Sequence, residues 1–436
     1  MANNVVIFGL GPNCKNKYLN YCFKLHQQGV INIVAFVDLA SEQQRLESDL
    51  ASYLKENKIT QIPLFCIPNN IANSVFQESC HSFLSNLFQG FVINKAIIAT
   101  EPKGHLLIAL WCLQNNIDVF MDKPISAFYE LSDYKTLMSD FQLMQSVAQD
   151  KGLEFVICSQ KRSHVGYQLL CSKIDEISDK MQQKVTYIDI HYGGGNCVTF
   201  DEFTTKENHP YKYGYGIILH SGYHYVDLLA RLISKCFSSQ DFDSINFDFQ
   251  VTYLAIDHKH LNNNINYIYG ESDVLIQGKA YDDKQNVVLF SLKLLDTSIS
   301  LRKLEQMHDE CYSSFGRLRQ ENIIIHMGHI ASLYLRSLPL KKIDGTLEYE
   351  NFDIDIILID PKLANHQLEQ IDRKQLNIDN SQSLNKSASI KQLAGFLTNQ
   401  KSVTSSVTSI ETHKNTIYLI EKIYQNIYNS KIKKAA

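Results

Sequence analysis

Four short runs in the first 125 residues are almost unbroken in apolar side chains, and segments with helical spacing separate them. Val5-Val-Ile-Phe8 ends in Gly9, and Lys15 to Gln28 then carries Tyr18, Leu19, Cys22, Phe23 and Leu25 at helical intervals before Gly29. Ile31 to Val37 is the second run, followed by the charged, amphipathic stretch Ser41 to Asn57. Lys95 to Thr100, the helical stretch His105 to Asn115, and Asp118 to Met121 continue the beat. A strand that is apolar at every position is buried on both faces, which a parallel sheet covered by helices on both sides provides. The pattern therefore predicts an α/β fold with a doubly wound, Rossmann-type parallel sheet over about residues 1–125, with 58–94 less regular.

Past Pro124 the period changes. A helix (about 128–150), a strand (Glu154 to Cys158) and a helix (about 165–182) lead into Val185 to Tyr192, which alternates with period two. Alternation returns near Phe247–Ala255, Ser272–Ala280, Val287–Leu294, Asn322–Ile325 and Ala331–Leu335. A second domain, 126–436, is expected to be α+β, with a large open, mostly antiparallel sheet and helices on one face. The polar, Asn- and Ser-rich stretch Asn377 to Lys391 reads as an exposed loop, and about 412–432 as an amphipathic helix that packs back.

Composition excludes several classes. The 42 basic and 46 acidic residues leave a formal charge of −4 without a basic block, which argues against nucleic acid as a partner. The apolar stretch His105 to Leu113 is far shorter than the ~20 residues that cross a bilayer, so no membrane is expected either. The N-terminus has no cationic region ahead of its apolar run, so a cytoplasmic location is expected. The 10 cysteines include no Cys-x-x-Cys pair and read as reduced, packed thiols.

Gly9-Leu-Gly11-Pro12-Asn13-Cys14 lies between the first strand and the first helix, where a dinucleotide fold needs glycine for a tight turn and for close approach to a pyrophosphate. Cys14 stands in place of the third glycine; Pro12 fixes φ where the helix needs no donor. Asp38, at the end of the second strand, suits the ribose hydroxyls of NAD and repels the 2′-phosphate of NADP; its alternative is a solvated strand-end acid.

Ala99-Thr-Glu-Pro-Lys-Gly-His105, Val119-Phe-Met-Asp-Lys-Pro124 and Gly214 to Asp227 together resemble the Gfo/Idh/MocA family, which includes glucose–fructose oxidoreductase and inositol dehydrogenase. The resemblance implies an NAD-dependent oxidoreductase that moves hydride between nicotinamide and a secondary hydroxyl of a sugar, cyclitol or nucleotide sugar. It also implies a homo-oligomer, dimer or tetramer, paired through the second domain's sheet. Lys123 would polarise the reacting hydroxyl, with Pro124, often preceded by a cis bond in relatives, aiming it; otherwise Lys123 is a solvated strand-end lysine. His224 would be the general base. His220 replaces an aspartate that many relatives carry; it could relay the proton, contact a substrate carboxylate or phosphate, signal lost catalysis, or be structural. Thr100, Pro102 and His105 would line the nicotinamide side. Lys161 and Arg162 resemble a basic pair that could hold a sugar hydroxyl or carboxylate, or stand in solvent.

His220, His224 and Asp227 could ligate zinc, but there is no His-Glu-x-x-His pattern and the family site works without metal, so none is expected. His258, His260, His326 and His329 read as structural. Two other functions stay open: a non-catalytic dinucleotide-binding regulatory protein, and an NAD-using glycosidase or epimerase.

Overall fold

The computed structural model describes residues 2–59, 62–68, 77–128, 130–194, 215–237, 242–255, 270–295, 320–341, 348–360, 365–372, 375–376, 384–399 and 407–435. Gly214, His258, His260, Cys197 and Cys311 lie outside them. The chain forms two compact units. The first takes the residues up to Phe128, Lys135–Ser159 and Ser389–Lys414; the second takes Gln160–Ala388, the chain from Asn415 onward and the short stretch ending at Tyr134.

In the first unit six parallel strands, β1 (Asn3–Phe8), β2 (Ile31–Leu39), β3 (Leu64–Ile67), β4 (Lys95–Ile98), β5 (Asp118–Asp122) and β6 (Phe155–Cys158), lie in the order β3-β2-β1-β4-β5-β6. That is the strand order of a Rossmann sheet. Val5 to Phe8, Ala96 to Ile98 and Val119 to Met121 are buried, as a sheet sandwiched by helices requires. Phe8, Phe88 and Trp111 pack edge-on or tilted at 5.4–6.3 Å between ring centroids.

Three differences from the sequence reading are physical. The irregular stretch 58–94 supplies β3 and the helix Gln77–Leu87. The strand Phe155–Cys158, expected in the second domain, pairs parallel with β5, so the parallel sheet runs on past residue 125. The stretch from 384 is a helix, Leu384–Leu397, and not a loop. Its polar residues hide an apolar face, Leu393, Phe396 and Leu397, that is buried in the first unit's core. Phe396 packs 5.7 Å from Phe120 and lies 4.2 Å beneath the ammonium of buried Lys95, which also meets Asp118 at 3.1 Å and Glu154 at 3.4 Å.

The second unit holds an eight-stranded sheet in the order β14-β13-β12-β11-β7-β10-β9-β8. Its strands are β7 (Tyr187–Gly193), β8 (Asn246–Ala255), β9 (Glu271–Tyr281), β10 (Val287–Leu295), β11 (Gln320–Met327), β12 (Ala331–Lys341), β13 (Glu348–Asp360) and β14 (Asn365–Asp372). All neighbours are antiparallel except β7 and β10. One face is apolar and buried through Ile188, Ile190, Ile323, Ile325, Leu333, Leu335, Ile354 and Ile356. The helices Val165–Met181 and Tyr223–Ser234 lie against β12–β13 and β7–β10 respectively. Lys414–Ala435 is the last helix. Among the described residues, no helix is long and apolar enough to cross a membrane.

Removing the ring of Phe396 leaves a cavity against Phe120 and withdraws the π face under Lys95. Phe396→Ala should lower stability by about 3–5 kcal/mol. Trp111, the chain's one tryptophan, sits in the same unit, so urea unfolding followed by its fluorescence reads the effect. An unchanged midpoint would refute the packing role.

Candidate functional site

In the first unit the chain leaves β1 through Gly9 at φ +83°, where a Cβ would lie 2.6 Å from the carbonyl oxygen of Ala99. Only glycine fits there without displacing backbone. The Gly9 N–H donates to Val37 O at 2.8 Å, joining the loop to β2. Gly11 caps a helix with Pro12 in its first turn; it runs Pro12–Cys14, widens to a π segment over Lys15–Leu19, and continues as Asn20–Gln27. Cys14 is fully buried, and burial first, then nearby Cys22, Asp122 and Asp38, hold its thiol protonated, so it packs beneath the loop.

Asp38, at the end of β2, receives the Leu10 N–H at 2.7 Å on one oxygen and its neighbour Leu39 N–H at 2.8 Å on the other. Burial raises its pKa, and those two donors act against the rise. The carboxylate thus fixes the glycine loop and keeps lone pairs for further donors.

Asp122 ends β5 and is buried. It accepts hydrogen bonds from Asn13 Nδ2 and from Tyr18 OH, the latter at 2.9 Å. Lys123 is half-buried and joined to Pro124 by a cis peptide bond. His105 has no exposed surface; its Nδ1 lies 2.8 Å from Pro124 O and its Nε2 3.1 Å from Thr100 O. Burial lowers its pKa, so the ring is neutral and donates to one of these carbonyls. His105 therefore holds the Pro124 turn against the loop after β4, beneath any surface that a ligand meets. In that loop Thr100 Oγ1 is buried without a hydrogen-bond partner, and Pro102 opens a short 3₁₀ turn capped by Glu101, which accepts the Lys103 N–H at 2.9 Å.

In the second unit His224 lies in the first turn of Tyr223–Ser234 and is 7% exposed. His220 lies in the preceding turn, its N–H donating to Gly216 O at 3.2 Å, so the two histidines do not share one helix. Asp227, the third residue of the zinc alternative, is buried and taken by Arg162, with Nε–Oδ2 at 2.9 Å and Nη2–Oδ1 at 2.5 Å, and by Thr416 Oγ1 at 2.7 Å. Among the described residues no cluster of His, Cys, Asp and Glu has the arrangement of a metal site.

From the sequence, Lys161 and Arg162 are a basic pair that either holds a ligand or stands in solvent. Both are instead buried with their charges answered internally. Lys161 meets both oxygens of Glu321 at 2.7 and 2.8 Å, and the hydroxyls of Tyr167 and Tyr225 donate to the same carboxylate.

Sequence reasoning missed Glu271. It is buried at the start of β9, and its Oε1 accepts from Ile218 N–H at 3.1 Å and Tyr424 OH at 2.9 Å. Its backbone lies so close to Gly216 that a Cβ there would come within 2.4 Å of Glu271 N and O. Glu271 therefore anchors the turn that carries His220 to the last helix. A glycine before a turn is the only sequence signal, and it does not point to an acid 55 residues away.

No family model matches the chain, and no curated protein matches it. Solved structures do. The WlbA dehydrogenase from Bordetella pertussis, in complex with NADH and UDP-GlcNAcA, superposes with a TM-score of 0.60 at 12% identity over 99% of this chain and 98% of that one. An oxidoreductase from Agrobacterium radiobacter with NAD+, L-tartaric acid and magnesium gives 0.56 at 13% identity over 99% and 97%. A super-repressor mutant of Gal80p from Saccharomyces cerevisiae gives 0.58 at 14% over 98% and 96%. At these identities the likeness establishes the shared α/β fold.

Burial pushes the Glu271 carboxyl up to about 7 from its ordinary value near 4.5. Because the folded pKa is the higher, the group's contribution to stability is complete below pH 4.5 and is lost as pH rises through 7. Wild type should lose roughly 2–3 kcal/mol more than Glu271→Gln between pH 5 and pH 8. Urea unfolding followed by circular dichroism at both pH values measures this; parallel profiles would contradict it.

Proposed function

We propose that the chain is an NAD-dependent oxidoreductase of the Gfo/Idh/MocA type, acting on a secondary hydroxyl of a sugar, cyclitol or nucleotide sugar. One observation carries the reading: Asp122, bonded to Asn13 in the first turn of the glycine-loop helix, directly precedes Lys123 at the end of β5. A coenzyme with its diphosphate on that loop has a lysine one residue from the tie. The fold shared with structures crystallised with NADH and NAD+ supports it.

The residues present fit the coenzyme. Gly9 leaves no Cβ in the loop, Gly11 opens the helix N-terminus, Asp38 keeps acceptor capacity toward ribose hydroxyls, and the unpartnered Thr100 hydroxyl offers a donor beside the loop. Pro12, Asn13 and Cys14 form the first helical turn behind it, with Pro102 and His105 shaping the loop after β4. When bound, the nicotinamide ring supplies the hydride acceptor or donor.

The chain's own groups handle charge and proton. The Lys123 ammonium stabilises alkoxide character on the substrate oxygen, and His105 braces the Pro124 turn that follows it. His224 takes the hydroxyl proton, and His220, where many relatives carry aspartate, relays it or contacts the substrate. Arg162 acts at a distance from substrate by fixing Asp227, one helical turn beyond His224. A homo-oligomer paired through the second unit's sheet belongs to the same proposal.

A second reading, a non-catalytic dinucleotide-binding regulator, is favoured by one observation, the fold shared with Gal80p over 98% of the chain.

NAD at ~100 times its dissociation constant should add about 2.7 kcal/mol to stability, read as a thermal shift. In a panel of sugars and nucleotide sugars, one should reduce NAD, and His224→Ala should cut kcat roughly 10²–10⁴-fold while NAD still binds. Lys123→Met should also cost turnover. NAD binding with no turnover on any substrate would favour the regulator; no binding would refute both.

A further inference from the structure

Resting on the oxidoreductase reading above, we propose that Glu271 is a positioning residue for proton transfer, holding His220 and the helix that carries His224 in place through the backbone of residues 216–222. The reaction thereby depends on an acid that is neither of its histidines and comes from a separate strand.

Glu271 opens β9 and takes hold of the turn at two successive N–H groups. Its carbonyl oxygen accepts the Ile217 N–H at 2.8 Å, and its side-chain Oε1 accepts the Ile218 N–H at 3.1 Å. Tyr424 OH, on the helix Lys414–Ala435, donates to the same Oε1 at 2.9 Å, so the carboxyl is fixed from a second element. Gly216 permits the close approach, since a Cβ there would lie 2.1 Å from Glu271 O. The hold passes along the turn in two steps. Gly216 O receives the His220 N–H at 3.2 Å, and Ile217 O receives the Gly222 N–H at 2.7 Å. Gly222 caps the helix Tyr223–Ser234, its carbonyl accepting from Tyr225 and Val226. One acid thus sets where His220 leaves the turn and where the His224 helix starts.

Ile217, Ile218, Glu271 and Tyr424 are each no more than 1% exposed, so a donor that loses the carboxyl has no solvent to replace it. The turn then shifts to find another acceptor, and a displacement of about 1 Å at a reacting group costs on the order of 10²-fold in rate. Glutamine keeps an oxygen at the place of Oε1, whereas leucine, of similar bulk, has none. The two substitutions separate the acceptor from the volume of the side chain.

The test is steady-state kinetics of the full chain with NAD and the sugar of the panel that reduces it, in light and heavy water, with circular dichroism as the check on folding. Glu271→Leu should lower kcat roughly 10²-fold with KM and the NAD dissociation constant unchanged, and should raise the solvent isotope effect on kcat as proton transfer becomes the slow step. Glu271→Gln should stay within about threefold of wild type, and Tyr424→Phe, which keeps the ring and loses one hydrogen bond, should fall about fivefold. Full kcat in folded Glu271→Leu, an unmoved isotope effect, or a glutamine variant as slow as the leucine one overturns the proposal while leaving the oxidoreductase reading intact. Should Glu271→Leu fail to fold, Tyr424→Phe decides, and an unchanged kcat there overturns the proposal. A wild type that reduces NAD with no sugar of the panel overturns the oxidoreductase reading, and the proposal with it.

Discussion

The carboxylate of Asp122 fixes the arrangement on which the first unit's candidate site depends. A parallel sheet brings strand ends to one edge, where loops from β1 and β5 must be held in mutual register although β4 lies between them. Asp122 does this by accepting from Asn13 and Tyr18 on the helix after β1. Tyr18 is itself buried, edge-on to Phe120 at 5.6 Å, and burial followed by the charge of Asp122 keeps its phenol protonated and donating. A buried carboxylate without such donors would be costly, so the tie is obligatory once the strand ends there. Lys123 inherits its place from that tie, and His105 braces the following turn from below.

The second unit uses charge differently. Arg162–Asp227 and Lys161–Glu321 are interior pairs, and breaking either would leave a buried charge unanswered, at roughly 3–5 kcal/mol. They secure the base of the helix that carries His224. The Arg45–Asp49 pair, with side chains 46% and 39% exposed, lies at the surface and holds weakly. One chain therefore contains both uses of the salt bridge, separated by burial.

Much of the fold was legible because its signals are local. Unbroken apolar runs marked β1, β2, β4 and β5, and alternation marked β7 to β12, since side-chain direction follows backbone geometry within a few residues. Alternation of Phe352, Ile354 and Ile356 with Asp353 and Asp355 was also there to mark β13. Polar β14 gave no such signal, because an edge strand exposed on its outer side needs none. The Ser/Asn content of 384–391 masked a helix that buries Leu384, Ala388, Leu393, Phe396 and Leu397 at helical spacing.

The sequence by itself determined the α/β class, the glycine turn, the acid at the second strand's end and the lysine before Pro124, all set by backbone conformation over short spans. Only the tertiary structure decided that Phe155–Cys158 completes the parallel sheet, that Arg162 belongs to Asp227 65 residues away and Lys161 to Glu321 160 residues away, and that Glu271 anchors the His220 turn. Those outcomes depend on which buried charges and strand edges meet after the chain has folded back on itself. Desolvation settles such meetings by proximity in space, and no local pattern records them.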